Sequence, residues 1–156
     1  MMSLCYDVLE TLSGRTLVTA ESCTGGAIGA ALTAVPGSSA VYKGGIVSYT
    51  NWVKENLLDV DPNLLNAVGA ISAPVAEAMA KGAKKRLQAD VAVSVTGLAG
   101  PSGDEYGNPV GTVFIGYCDD KVCLSRHFVF EGDRDAVRWQ ATEEALKLVL
   151  QKAVDF

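Results

Sequence analysis

Apolar positions recur along the chain with two periods, and each change of period marks a new element. Leu4, Val8, Leu9 and Leu12 stand at helical spacing, predicting a helix over 3–12 that Ser13-Gly14 ends. A β-branched run makes 15–20 a strand, and the Ala- and Gly-rich run 27–34 reads as a helix able to pack very closely. After the turn Val35-Pro36-Gly37-Ser38-Ser39, residues 40–50 read as extended, and Gly44-Gly45 inside them predicts a bulge or a close backbone approach. Residues 51–58 are helical. Asp61-Pro62 opens a short helix that stops at Gly69, and Ser72-Ala73-Pro74 opens another that runs to about 87. Residues 90–96 are apolar throughout, as in a central strand, and the Gly-rich loop 97–104 follows. A hairpin over 110–118 and 122–130 turns at Asp119-Asp120-Lys121, and a last helix over 136–154 has Asp133 as N-cap.

Helices and strands interleave, which predicts an α/β fold, a three-layer α/β/α sandwich whose sheet the hairpin makes mixed. A chain of 156 residues is expected to form one domain over 1–156. Its 49% hydrophobic and 20% charged content is that of a compact globular protein. A net charge of −5 argues against nucleic acid as a partner. Lys81, Lys84, Lys85 and Arg86 close a helix, where cations suit the dipole without any nucleic acid. No apolar run approaches the roughly 20 residues that span a bilayer, so no membrane partner is expected. The N-terminus shows no basic segment followed by an apolar one, so a cytoplasmic location is the default. The small-residue helices leave room for a homo-oligomer.

Cys5, Cys23, Cys118 and Cys123 match no zinc pattern, and His127 is the only histidine, so neither metal nor cofactor is expected. Cys118 and Cys123 flank the hairpin turn. A disulfide or a shared metal is conceivable there, but reduced thiols are the expectation for a cytosolic chain.

The chemistry gathers where strands hand over to helices. In Ala20-Glu21-Ser22-Cys23-Thr24-Gly25-Gly26, hydroxyls, a thiol and a carboxylate stand beside two backbone positions free of side chains. The stretch suits a Ser- or Thr-capped turn, an anion cradle, or a nucleophile beside an oxyanion hole. The helix is expected to begin near Thr24 or Gly25. Sites in open α/β sheets lie beyond the carboxyl ends of strands, and parallel strands would bring Ser22, Tyr49, Lys54 and the 97–103 loop to one rim. His127 sits in an alternating strand pattern and reads as structural. Ser22 would then need another base: a lysine whose pKa burial lowers, with a tyrosine to relay the proton or hold the lysine. Lys54 and Tyr49 are the candidates. Cys23 ranks below Ser22 for want of a histidine partner. Arg134 and Arg138, four apart at the start of the last helix, suit either a phosphate or nearby acids such as Glu131 and Asp135.

The chain resembles the CinA C-terminal domain family. The motifs that carry the resemblance are 20–26, Pro36-Gly37-Ser38-Ser39, Gly69-Ala70-Ile71-Ser72, Thr96-Gly97-Leu98-Ala99-Gly100-Pro101, Pro109-Val110-Gly111-Thr112-Val113 and 132–138, spread over about 5–152. The resemblance implies a mixed five-stranded sheet. It also implies hydrolysis of the carboxamide of nicotinamide mononucleotide to nicotinate mononucleotide and ammonia, with Ser22, Tyr49 and Lys54 as the catalytic set. Backbone N–H groups around 24–26 would hold the oxyanion. Substrate contacts are expected from Thr24, Gly25, Gly26, Ser39, Thr96, Gly97, Gly100, Arg134 and Arg138, with a small-molecule nucleotide as the partner. The N-terminal domain that many CinA proteins carry is not in this sequence, and its activity is not expected here. The competing expectations are a nucleotide-binding domain without turnover and an amidohydrolase for another small amide.

Overall fold

The computed structural model describes residues 1–155. Its elements are α1 (Met2–Thr11), β1 (Leu17–Glu21), α2 (Ala27–Thr33), a 3₁₀ turn (Ser38–Ala40), β2 (Tyr42–Val47), α3 (Asn51–Leu58), α4 (Pro62–Val68), α5 (Ala73–Arg86), β3 (Val91–Gly97), β4 (Thr112–Cys118), β5 (Cys123–Val129) and α6 (Arg134–Ala153).

The five strands form one sheet in the order β2-β1-β3-β4-β5. The first three are parallel, and β4 and β5 are antiparallel to their neighbours. Alternation along the strands splits the core in two. Leu17, Val91, Val93 and Val95 face α1, α2 and α6, whereas Val18, Ala20 and Ala92 face α3, α4 and α5. The result is the three-layer sandwich that the alternation of elements predicts. Small residues set its thickness. A Cβ on Gly116 of β4 would run into the Ala76 carbonyl of α5, and one on Gly82 of α5 would run into the Leu58 carbonyl. The Gly pair in β2 coincides with a bulge: Leu17 pairs with Tyr42 but Val18 with Gly44, so Lys43 is the extra residue.

Three local expectations are corrected. Helix α2 begins at Ala27, not at Thr24 or Gly25, and its N-cap is Gly26 in the left-handed region at φ 109°. No serine or threonine caps it. Ser72 stands at the N-cap of α5, but its hydroxyl donates to the Gly69 carbonyl (2.9 Å) instead of capping. Cys118 and Cys123, expected as free thiols, are joined by a disulfide. Asp119 N–H donates to Val122 O, so 119 and 122 form the hydrogen-bonded pair of the hairpin end. The next pair, 118 and 123, is then non-hydrogen-bonded, the type whose side chains approach most closely. No helix among the described residues is long and apolar enough to cross a membrane.

Candidate active site

The parallel strands β1 and β2 send their following segments to opposite faces of the sheet. The one after β1 enters α2, and the one after β2 enters α3. A crevice opens between such strand ends. The sheet's ladder runs one rung past each strand here: Ser22 N–H donates to Val95 O (2.9 Å), and Ser48 N–H donates to Glu21 O (2.7 Å). Backbone pairing therefore fixes the first residue after each strand.

Lys54 lies in the first turn of α3 and is 1% exposed. Its Nζ donates to the Ser48 carbonyl at 2.7 Å and lies 3.1 Å from Ser22 Oγ. No carboxylate among the described residues pairs with it. Burial lowers its pKa from the ordinary 10.5 to about 8, and Cys23 nearby opposes this only in part. The amine is thus partly neutral near physiological pH and in contact with a serine hydroxyl, an arrangement able to remove the proton of that hydroxyl.

The turn carrying Ser22 is built by a buried carboxylate. Glu21, 2% exposed, accepts N–H groups from Gly26 (3.2 Å) and Ile28 (2.9 Å) on one oxygen and from Gly29 (3.0 Å) on the other. It does the capping that a serine or threonine was expected to do. From the other side Arg138 donates to the carbonyls of Cys23 (Nε, 2.9 Å) and Thr24 (Nη2, 3.3 Å). The N–H of Gly25 is taken by Ser22 O, and that of Gly26 by Glu21. These two N–H groups, expected at an oxyanion, are already engaged within the protein. Thr24 is fully buried, and its hydroxyl oxygen has no hydrogen-bond partner among the described residues. Cys23 is buried too. Burial pushes its thiol up to about 11 against the pull of its own N–H, Arg138 and Lys54, which makes it a poor nucleophile at neutral pH.

A cavity of about 350 Å³ opens over Ser22 and Lys54. Its walls include Cys23, Tyr49, Asn51, Ala70, Ile71, residues 97–102 and Arg134. Arg134 crosses its mouth, donating to Gly100 O (2.8 Å) and to the Tyr49 hydroxyl (3.1 Å). Tyr49 is exposed at the wall with its hydroxyl on Arg134, while Lys54 reaches Ser22 directly.

The structure thus gathers Ser22, Tyr49, Lys54, Gly97, Gly100 and Arg134 at one cavity, and it places the other expected residues elsewhere. Ser39 is exposed on the 3₁₀ turn. Thr96 is buried and donates to Ala70 O (2.9 Å), holding a cavity wall without facing the cavity. Thr24, Gly25, Gly26 and Arg138 form or brace the turn behind Ser22, and Arg138 is spent on carbonyls instead of facing a phosphate or the nearby acids. Sequence reasoning missed Glu21 as a capping residue, and it missed Asn51, Ala70 and Ile71 as walls. The 69–72 motif was the one available signal for the last two. His127, on the edge strand, stacks on Phe114 with ring centroids 4.4 Å apart.

Comparison with known proteins gives the same frame. The family model for the CinA C-terminal domain matches residues 3–153. A CinA-like protein of Parasynechococcus marenigrum is 54% identical over 134 residues, 85% of this chain and 32% of the relative. One of Mycolicibacterium gilvum is 50% identical over 143 residues, 91% of this chain and 34% of the relative. The chain spans about a third of the length of these curated relatives. Among solved structures, a competence-damaged protein (CinA) superfamily protein from Klebsiella pneumoniae superposes with a TM-score of 0.96 at 34% identity, covering 99% of this chain and 98% of that one. The competence/damage-inducible protein CihA from Agrobacterium tumefaciens gives 0.92 at 36% identity, covering 96% and 93%. The chain belongs to the CinA C-terminal domain family.

Proposed function

We propose that the chain is an amidohydrolase that converts nicotinamide mononucleotide to nicotinate mononucleotide and ammonia through a serine acyl-enzyme. The observation that carries this reading is the buried Lys54 amine, 3.1 Å from Ser22 Oγ under a cavity with an arginine at its mouth.

A neutral amine has two N–H donors and one lone pair. One N–H stays on Ser48 O, and the lone pair takes the Ser22 proton as Oγ attacks the amide carbon. The N–H of Cys23, next along the chain from the nucleophile and at the cavity wall, is left for the oxyanion, with that of Thr24 beside it. Collapse breaks the C–N bond. Lys54 returns the proton to the leaving nitrogen, and ammonia departs. Water then attacks the acyl carbon, Lys54 takes its proton and passes it to Ser22 Oγ, and the carboxylate product leaves. The 97–102 loop and Arg134 would hold ribose and phosphate, with Tyr49 steadying the guanidinium.

The test is ammonia release from a panel of nicotinamide mononucleotide, nicotinamide riboside, free nicotinamide and unrelated small amides. The mononucleotide should be preferred, and Ser22→Ala should abolish turnover. Binding without ammonia release from any of them, or turnover retained by Ser22→Ala, refutes the reading.

A further inference from the structure

A second cavity, of about 500 Å³, exceeds the one over Ser22. Because β4 is antiparallel to β3, with Cys118 opposite Ala92, this second cavity lies at the other end of the sheet. The disulfide-linked Cys118 and Cys123 line it together with Lys81, Lys84, Lys85 and Lys121. Two aspartates share the lining, but both are engaged. Asp120 pairs with Lys84 (2.6 Å), and the Asp119 carboxylate accepts from the N–H groups of Lys121 and Val122 and from the Tyr117 hydroxyl. Lys81, Lys85 and Lys121 form no ion pair among the described residues. The sulfurs differ in access. Cys118 is 2% exposed with its Sγ 3.8 Å from Glu77 O, whereas Cys123 is exposed on the edge strand.

We propose that Cys118 and Cys123 are a redox-active pair that exchanges with a low-molecular-weight, carboxylate-bearing thiol or its disulfide docked on these lysines. In the oxidising direction Cys123 is the attacking sulfur. Its thiolate bonds to one sulfur of the small disulfide, whose S–S bond breaks, and the first small thiolate leaves and takes up the proton that Cys123 lost. Cys118 then gives up its proton and attacks Cys123 Sγ. The mixed S–S bond breaks, and the second small thiol leaves with that proton. Two protein thiols are oxidised, and one small disulfide is reduced to two thiols. Reduction by excess small thiol runs the same steps backwards. The lysines do two things: cationic surroundings favour thiolate over thiol, and they concentrate an anionic partner at the exposed sulfur. Cys5 and Cys23 are buried, and Cys23 lines the cavity over Ser22 instead of this one, so neither takes part.

The test starts from the full chain reduced with dithiothreitol and freed of reductant. It is mixed separately with glutathione disulfide (anionic), hydroxyethyl disulfide (neutral) and cystamine (cationic), and Cys118–Cys123 formation is followed by mass spectrometry. The same rates are measured for a Lys81→Gln/Lys85→Gln/Lys121→Gln variant, because the ratio of wild-type to variant rate cancels each reagent's own reactivity. That ratio should be about tenfold or more for glutathione disulfide, near unity for hydroxyethyl disulfide and below unity for cystamine. Cys118→Ser should trap a glutathione adduct on Cys123. Failure to form the intramolecular disulfide, equal ratios for all three reagents, or an adduct that forms on Cys118 in Cys123→Ser but not on Cys123 overturns the proposal.

Discussion

Replacing Lys54 with methionine should inactivate the protein and yet stabilise it at neutral pH. The folded state holds the Lys54 pKa at about 8, while the unfolded chain returns it to about 10.5. Folding therefore opposes the charged form. Below pH 8 the protein carries a penalty of about 3 kcal/mol, which is relieved as pH climbs from 8 towards 10.5, where only the unfolded chain still binds the proton. Methionine fills a similar volume without charge and removes the penalty, but it leaves Ser48 O and Ser22 Oγ without their partner, at about 1 kcal/mol each. The variant should thus be about 1 kcal/mol more stable than the wild type at pH 7. At pH 10, where the penalty has largely gone, it should be less stable by a similar amount. Urea denaturation of both proteins at the two pH values checks the reversal, since every other titrating group is common to both. The same pKa fixes the kinetics: kcat/KM of the wild type should rise with pH, about tenfold per unit, and level off near pH 8. The variant should lose that limb and about 10²–10⁴ in rate. A stability difference that does not change between pH 7 and 10 refutes the titration of Lys54. A variant that keeps the rising limb refutes its role as base.

Glu21→Gln should lower kcat more than it raises KM and should cost about 1–3 kcal/mol in thermal or urea unfolding, because its amide NH₂ would face one of three backbone N–H donors. Arg138→Met should likewise lower kcat with little change in KM, since it frees the Cys23 and Thr24 carbonyls without exposing the substrate cavity; a pure KM effect would return Arg138 to substrate binding. Arg134→Gln should raise KM for nicotinamide mononucleotide by about tenfold or more while leaving turnover of the phosphate-free riboside nearly unchanged. Tyr49→Phe should raise KM modestly through Arg134, because Lys54 already touches Ser22; a fall of about 10² or more in kcat would instead make Tyr49 the proton relay.

What the sequence disclosed follows from the range of the interaction involved. Helix α3 was placed to the residue, because its limits follow from local composition and from the strand before it. The parallel strands ending at one rim followed from the interleaving of helices and strands, and they brought Ser22 and Lys54 within reach of each other. Glu21 was illegible because its role depends on three N–H groups converging around a left-handed Gly25-Gly26 turn, a geometry that no side-chain pattern encodes. Arg134 and Arg138 do share a helix face, as their spacing predicts. One turn of helix is about 5 Å, however, and over that distance the first arginine meets the Gly100 loop while the second meets the carbonyls after β1. Thr96 was misread for a related reason: its backbone closes the strand that leads to the cavity, but its side chain points to Ala70 on the α5 side. The Cys118–Cys123 pairing needed the hairpin register, which the whole ladder from Thr112–Val129 to Cys118–Cys123 sets and which no local residue pattern encodes.

The two groups at the centre of the site are set by backbone bonds. Ser22 is fixed by its N–H on Val95 O, and the Lys54 amine by the carbonyl of Ser48, whose own N–H is on Glu21 O. These bonds continue the β2-β1-β3 ladder, so substituting sheet side chains other than Glu21, whose carboxylate holds the turn after Ser22, leaves the Ser22–Lys54 geometry in place until a strand slips register. A slip of one residue in β2 would carry the Ser48 carbonyl away from Lys54 and turn the core face of the strand outwards, losing the site and the fold together. Side chains at the cavity rim stand in the opposite position. Arg134, Tyr49 and Asn51 touch the cavity without supporting the ladder, so they can change with little loss of stability. If the site works as proposed, the reaction type is written into the sheet and the substrate preference into its rim. Changing specificity should therefore require only rim substitutions, with the lysine–serine pair left intact.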